Sequence, residues 1–355
     1  MNAGGSLHVV VPDGIEDPGR PSGGNTYDRL LCDHLAADGW SVAVRGVAGD
    51  WPWAGKESCR ALEHTLGGIP DGSLVLVDGL LASAVPEVMV PASRRLRVVV
   101  LMHMPIGRRG ADDDSWGREG AVVGAAAAVV TTSAWSRDWL LESYGLDPAR
   151  VHVARPGVEP AARAQGSAAG RRLLCVGAVT PVKGHDLLLA ALTRIADLEW
   201  RCLCVGSLTR ADGFVQELSR DIRSAGLDDR IVLTGPRTGA ELEATYAVAD
   251  LLVLASRAET YGMVVTEALA RGVPVVAPGV GGVPEALGET PGGQPPGLLL
   301  PPGDPDALAD SLRRWLSDPD LRQALREAAA RRRAALGSWP ETADRVADVL
   351  AKVAR

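Results

Sequence analysis

Lysine is almost missing from this chain: of its 37 basic residues only Lys56, Lys183 and Lys352 are lysines. Arginine is therefore the default cation, and a lysine at a special place asks for a chemical reason. A basic excess is missing as well. The net charge is −7, shared as −5 through Val158 and −2 after it, which excludes the broad positive field of a general nucleic-acid binder. Long apolar runs are lacking too. The stretch Ala121 to Val130 is about half of a membrane span, and no charged-then-apolar leader precedes the strand-like run at Leu7. A cytoplasmic protein without an integral membrane segment is expected. Cysteine is sparse and odd in number, and three of the five (Cys32, Cys59, Cys175, Cys202, Cys204) lie in apolar strand-like runs, where a thiol packs as a small hydrophobe. Neither a disulfide framework nor a zinc site is indicated.

What is present is globular: 46% hydrophobic and 23% charged residues over 355 positions, a length that predicts two domains. Short β-rich runs alternate with helical patterns from end to end, the pattern of parallel sheets covered by helices. Leu7 to Val11, Ser41 to Val44, Leu74 to Val77, Leu96 to Met102, Ala128 to Thr131 and Val151 to Val153 form a first strand series. Leu173 to Val176, Cys202 to Val205, Ile231 to Thr234, Leu251 to Ala255 and Val273 to Ala277 form a second. Ser133 and Asp304 read as helix N-caps, and Thr238 with Glu241 as a capping box. Residues 279–303 read as loop-rich. The fold expected is α/β, two Rossmann-like doubly wound domains facing across a cleft. The divisions are 1–158, a linker at 159–170 without periodic apolar pattern, 171–338, and a C-terminal helix at 339–355 crossing back to the first domain.

The most informative segment runs from Ala255 through Arg257, Glu259, Tyr261, Gly262, Met263, Val264 and Glu267 to Pro274. A buried strand ends at Ala255 and a helix starts near Tyr261, leaving backbone N–H groups around Gly262, Met263 and Val264 for an anion. Gly262 lets a phosphate approach the main chain. Glu267 lies two turns further in, ~9 Å along the axis, a suitable distance for accepting hydrogen bonds from a ribose diol. Taken alone, the segment leaves a second reading open, with Glu259 a dipole-favoured loop acid and Glu267 a solvated helix residue.

The two glutamates spaced by seven residues, within E-x-x-G-x-x-x-x-E-A-x-A-x-G-x-P, resemble the donor-site signature of family 4 retaining glycosyltransferases with the GT-B fold. Gly23-Gly24-Asn25 resembles that family's N-domain glycine loop, Gly177 to Gly184 its C-domain loop ending in Lys-Gly, and Gly281 to Glu285 its later G-G-x-P-E segment. The resemblance implies transfer of a sugar from a UDP- or GDP-sugar to an acceptor hydroxyl with retention. It assigns the nucleotide ribose to Glu267, the transferred sugar to Glu259 and the leaving diphosphate to Lys183. It implies no metal and no cofactor beyond the nucleotide sugar. Physical reasoning reaches Lys183 independently, since a fixed cation stabilises charge building on departing phosphate oxygens. One departure is visible: family members commonly carry Arg after the glycine at Gly177, and here Ala178 stands there. Arg257 is a candidate to reach the same phosphates.

His103 follows a strand and projects at the sheet's carboxyl edge. The resemblance gives it a role at the donor sugar or acceptor; a hydrogen-bonded strand-end histidine is the alternative. Gly23 and Gly24 would let the first helix approach the diphosphate or acceptor, or would form an ordinary loop. Asp112 to Asp114, among glycines and arginines, read as a solvated acidic loop rather than a metal site. Trp51 and Trp53 would stack on an acceptor or pack under their loop. Arg331 to Arg333 would touch an anionic membrane surface or, with Arg322 and Arg326, form the wet face of a helix. Two rival functions share the architecture: a hydrolysing nucleotide-sugar epimerase and a non-catalytic nucleotide-sugar-binding module.

Overall fold

A computed structural model describes residues 5–19, 21–107, 113–290 and 292–355. The chain forms two units: Met1–Glu16, Gly23–Gly157 and Gly337–Arg355 in one, Asp17–Ser22 and Val158–Leu336 in the other.

The first unit is built on six parallel strands, β1 (Ser6–Pro12), β2 (Ser41–Val47), β3 (Leu74–Asp78), β4 (Arg97–Met102), β5 (Ala128–Thr131) and β6 (Val151–Val153), in the order β2-β1-β3-β4-β5-β6. Helices cover both faces of the sheet, so its central strands are apolar without alternation; β3 is buried at every position and β4 at every position after Arg97. Each fully buried Val or Leu contributes roughly 1.5–3 kcal/mol against the unfolded chain. Strand order reverses between β1 and β3, which makes their carboxyl ends the place where side chains converge. The helix Gly23–Ala37 follows β1 there. The C-terminal helix Trp339–Val353 packs on it, started by a capping box in which Ser338 and Glu341 satisfy each other's backbone N–H. Thr342 Oγ1 donates to Arg155 O at 2.7 Å, and the Tyr27 ring meets Trp339 edge-on at 5.4 Å.

The second unit repeats the plan with β7 (Arg172–Val176), β8 (Arg201–Val205), β9 (Ile231–Gly235), β10 (Leu251–Val253), β11 (Val275–Pro278) and β12 (Gly297–Leu300), in the order β12-β11-β10-β7-β8-β9. Its switch point lies between β7 and β10, so the loops after those two strands share one crevice. Cys175, Cys202 and Cys204 are buried and free.

Several local expectations change. Residues 279–303 hold a helix, Val283–Leu287, and the edge strand β12; that strand is four residues long and half-exposed, which blunts its apolar signal. The stretch 159–170 carries no helix or strand, but it is fastened to the second unit. Ala164 N donates to Arg271 O at 2.9 Å, Gln165 N to Ala247 O at 3.0 Å, and Ser167 Oγ to buried Asp250 at 2.7 Å. It is a strap along that unit rather than a free linker. Ser133 and Asp304 cap their helices through side-chain oxygens. Thr238 does not: left-handed Gly239, φ 52°, disturbs the first turn, and no capping bond forms. Arg331 is exposed as expected, donating to Gln294 Oε1 at 2.6 Å, but the other C-terminal arginines of that reading do not form a wet face. Arg322 is buried and donates to Trp315 O at 2.7 Å, Arg326 meets Ser167 O and Asp250, Arg332 donates to Leu287 O at 3.0 Å, and Arg333 to Ala270 O and Ala161 O. Among the described residues, no helix is long and apolar enough to cross a membrane.

Candidate active site

Three loops of the second unit meet at the switch point. After β10 the chain runs through Ser256 and Glu259 to Gly262, which adopts φ 90° and ψ 62° as the N-cap of the helix Met263–Ala270. The helix thus begins two residues later than Tyr261, which is itself buried. A left-handed N-cap suits glycine, and no side chain caps this start, so the positive end of the helix is left for an anion. After β7 comes the turn Pro181–Lys183, closed by left-handed Gly184 at φ 68°. A Cβ on Gly184 would lie 1.9 Å from Ala255 O, so only glycine lets the two loops come this close. Arg257 N donates to Val182 O at 2.8 Å and laces them further. The third loop adds Gly282, whose N–H donates to Glu259 O at 3.3 Å.

This lacing fixes a charge pair. Lys183 Nζ donates to Glu259 Oε1 at 2.7 Å, and Ser256 Oγ donates to the same oxygen at 2.8 Å. Glu259 is 10% exposed and Lys183 33%, so the acid is sheltered while the ammonium keeps access to solvent. Met263 and Val264 form the first turn of the same helix. Further along it, Glu267 is half-buried and accepts from Tyr246 OH at 2.9 Å. Burial raises its carboxyl above the ordinary glutamate range, partly offset by the Tyr246 hydrogen bond and by Arg271, with Glu243 adding to the rise. Arg271 stacks over the Tyr246 ring at 4.5 Å and pairs with Glu243.

Arg257 stands elsewhere than expected. Its guanidinium is bidentate on Asp186, at 2.8 and 2.6 Å, and also donates to Pro181 O at 2.7 Å. The fork is saturated by a carboxylate and a carbonyl, so in this conformation it does not complete a phosphate clamp with Lys183. Ser256, Tyr246 and Asp186, which sequence reasoning missed, carry no motif of their own; each is found only through its partner.

In the first unit, Gly23 and Gly24 open the helix after β1 instead of lying in a loop. Gly24 touches His103: a Cβ there would lie 3.3 Å from the imidazole Cδ2. His103 Nε2 lies 2.7 Å from Asp28 Oδ1, and the Tyr27 ring meets the imidazole edge-on at 5.1 Å. Asp28 and Asp78, both buried, were not singled out by sequence; the available signals were an acid in the helix behind the glycine pair and another closing a buried strand. Asp113 and Asp114 begin the helix Asp113–Ala125, with Asp114 exposed, and Asp112 lies outside the described residues. The two tryptophans separate. Trp51 packs on the core and donates to Val47 O at 3.2 Å, whereas Trp53 is 75% exposed.

Residues 163–332 match the family described as Glycosyl transferases group 1. The D-inositol 3-phosphate glycosyltransferase of Kineococcus radiotolerans is 35% identical over 254 residues, 65% of this chain and 58% of that protein. Its namesake in Streptomyces coelicolor is 30% identical over 264 residues, 65% of this chain and 56% of that one. The matched region thus spans little more than half the length of these relatives. Among solved structures, sucrose-phosphate synthase of Thermosynechococcus elongatus superposes with a TM-score of 0.80 at 22% identity, covering 98% of each chain. Anabaena HepE, solved with UDP and glucose, superposes at 0.76 with 18% identity over 98% of this chain and 99% of its own. At such identities the structures speak for the fold, and the sequence matches for the family. The family match is confined to residues 163–332, and the fold of the chain is that of the GT-B glycosyltransferases it superposes on.

Proposed function

We propose that the protein transfers a sugar from a UDP- or GDP-sugar to an acceptor hydroxyl with retention at the anomeric carbon. The observation that carries this reading is the Lys183–Glu259 pair, held beside the uncapped start of the helix Met263–Ala270. A diphosphate at that start would meet the helix dipole and the Lys183 ammonium, the groups suited to charge that grows as the sugar–phosphate bond breaks. Glu259 faces the transferred sugar and Glu267 accepts from the ribose diol. The bond from the anomeric carbon to the phosphate oxygen breaks, the bond to the acceptor oxygen forms on the same face, and the acceptor proton passes to the departing phosphate oxygen. No metal and no further cofactor enters. Free thiols at all five cysteines support a cytoplasmic setting.

Incubation with a panel of UDP- and GDP-sugars, first without acceptor and then with hydroxyl acceptors including D-inositol 3-phosphate, tests the reading. Slow nucleotide release that an acceptor accelerates is expected. A rearranged sugar would reveal an epimerase instead, and tight binding without turnover a binding module.

Glu267→Ala is expected to weaken UDP or GDP binding by ~1–3 kcal/mol, the range for lost charged hydrogen bonds, with the fold intact. Unchanged affinity in calorimetry would remove the ribose assignment. Because burial raises this carboxyl, acidification should protonate it before an ordinary glutamate, and nucleotide affinity should fall from a correspondingly higher pH. Turnover is expected to survive EDTA and the replacement of Asp112, Asp113 and Asp114 by Asn. Activity lost to chelation and restored by Mn²⁺ or Mg²⁺ would reinstate a metal.

A further inference from the structure

Three titratable side chains converge at the carboxyl edge of the first sheet: Asp28 from the helix after β1, Asp78 from the last position of β3, and His103 just beyond β4. One ligand-type atom from each lies within 4.8 Å of the other two. Asp28 is 1% exposed and Asp78 3%. Asp28 Oδ1 meets His103 Nε2, while Asp28 Oδ2 is buried with no hydrogen-bond partner among the described residues. Asp78 accepts from Leu80 N at 2.6 Å and lies within hydrogen-bond reach of Asp28.

Ionised carboxylates only accept, so two of them side by side leave Asp28 Oδ2 unsatisfied and a surplus negative charge under the sheet edge. One proton shared by the pair removes both defects. We propose that Asp78 holds this proton and donates it to Asp28 Oδ2, so that ionised Asp28 fixes His103 as an imidazolium whose second donor, Nδ1–H, is left for an oxygen of a ligand at this sheet edge. Asp28 and Asp78 are then positioning residues. Asp78 chooses the proton because burial and the neighbouring Asp28 charge both raise its carboxyl. For His103, burial alone would favour the neutral ring; the charge and hydrogen bond of Asp28, joined by the charge of Asp78 once that carboxyl has lost its proton at higher pH, outweigh it and lift the imidazole to about 9. Tyr27 and Cys32, on the same helix as Asp28, are both pushed up by burial and by that acid, so they stay neutral at pH 7. The gain from a raised imidazole is complete below its ordinary 6.5 and is lost as pH rises through about 9.

A catalytic use of that donor rests on the proposed glycosyl transfer, but the placement of the proton does not, and the test separates them. Imidazole ¹⁵N spectra, assigned with His103→Gln, are recorded against pH for the wild-type protein, Asp78→Asn and Asp28→Asn. The ring should remain an imidazolium at pH 7.5 in the wild type. It should remain so in Asp78→Asn, because an amide donates to Asp28 as the acid proton does and still accepts from Leu80 N. Asp28→Asn should bring the titration down toward the ordinary histidine value. Where transfer is measurable, Asp78→Asn should keep kcat within about twofold, while Asp28→Asn should lose about tenfold or more. A neutral ring in the wild type at pH 7.5, or in Asp78→Asn alone, overturns the proposal even if Asp28→Asn fails to fold. Thermal stabilisation by Mn²⁺ or Zn²⁺ that both substitutions abolish would also overturn it, since the pair would then hold a cation in place of the proton. Absent transfer with an imidazolium spectrum would defeat the glycosyl-transfer reading and leave the proton where it is placed.

Discussion

Lys183→Ala is expected to lower kcat by ~10² or more while leaving nucleotide binding much less affected, the pattern for loss of a group whose value lies mainly in the transition state. The geometry explains the asymmetry. Before reaction, Lys183 already has an anionic partner in Glu259 at 2.7 Å, so a bound diphosphate takes up a cation that was never free and gains modestly from it. When the sugar departs, charge accumulates on the phosphate oxygens, and a preoriented ammonium responds without solvent rearrangement. Single-turnover kinetics with a saturating donor separate the two effects. Near-normal kcat would pass the role to Arg257, the cation that Asp186 now holds through two hydrogen bonds. The double substitution Lys183→Ala with Arg257→Ala would then report how far the two act together. Lys183→Arg should recover only part of the rate, since a planar fork placed where a compact ammonium fits would have to move the Glu259 carboxylate.

Much of this centre was legible because its parts are local. The E-x-x-G-x-x-x-x-E spacing sets two acids and a helix start within nine residues, and Lys183 is conspicuous in a chain with two other lysines. Most of the buried parallel strands announced themselves in the same way, as apolar runs between turn residues. What stayed hidden is pairing across sequence distance. Tyr246 supports Glu267 from 21 positions away, Asp186 captures Arg257 from 71, and Asp28 reaches His103 across 75. Strand order decides those meetings, and periodicity does not report strand order. Strand β12 was missed for a different reason: four residues in a glycine- and proline-rich stretch, with one face open, give too little apolar pattern to stand out. The expectation that failed most broadly concerned arginine, which on a helical pattern looks like a solvated charge and here repeatedly ends on a backbone carbonyl.

That use of arginine leads to the second large effect. Arg230 gathers the chain after the helix His185–Arg194: Nη1 donates to Ala196 O at 2.9 Å, Nε to Trp200 O at 3.3 Å, and Nη2 to Leu198 O. Its guanidinium also lies 3.8 Å over the ring of Trp200, a core residue 3% exposed. One planar cation thus satisfies three carbonyls at a helix end and covers an aromatic face, whereas a lysine has tetrahedral donors and no plane to stack. This geometry gives the excess of arginine over lysine a structural use. Arg230→Ala is expected to cost about 2–4 kcal/mol of unfolding free energy and Arg230→Lys about 1–2, because hydrogen bonds from a charged donor each contribute roughly 1.5–3 kcal/mol but share one anchoring side chain. Arg29, exposed and 3.7 Å from Asp33, supplies the contrast. Arg29→Lys should change stability by no more than about 0.5 kcal/mol, as exposed ion pairs on a helix do. Urea unfolding of each variant, with the transition of the second unit followed by hydrogen exchange of β8, checks the difference. Equal stability of Arg230→Lys and the wild-type protein would show that these carbonyls are served as well by water as by the guanidinium.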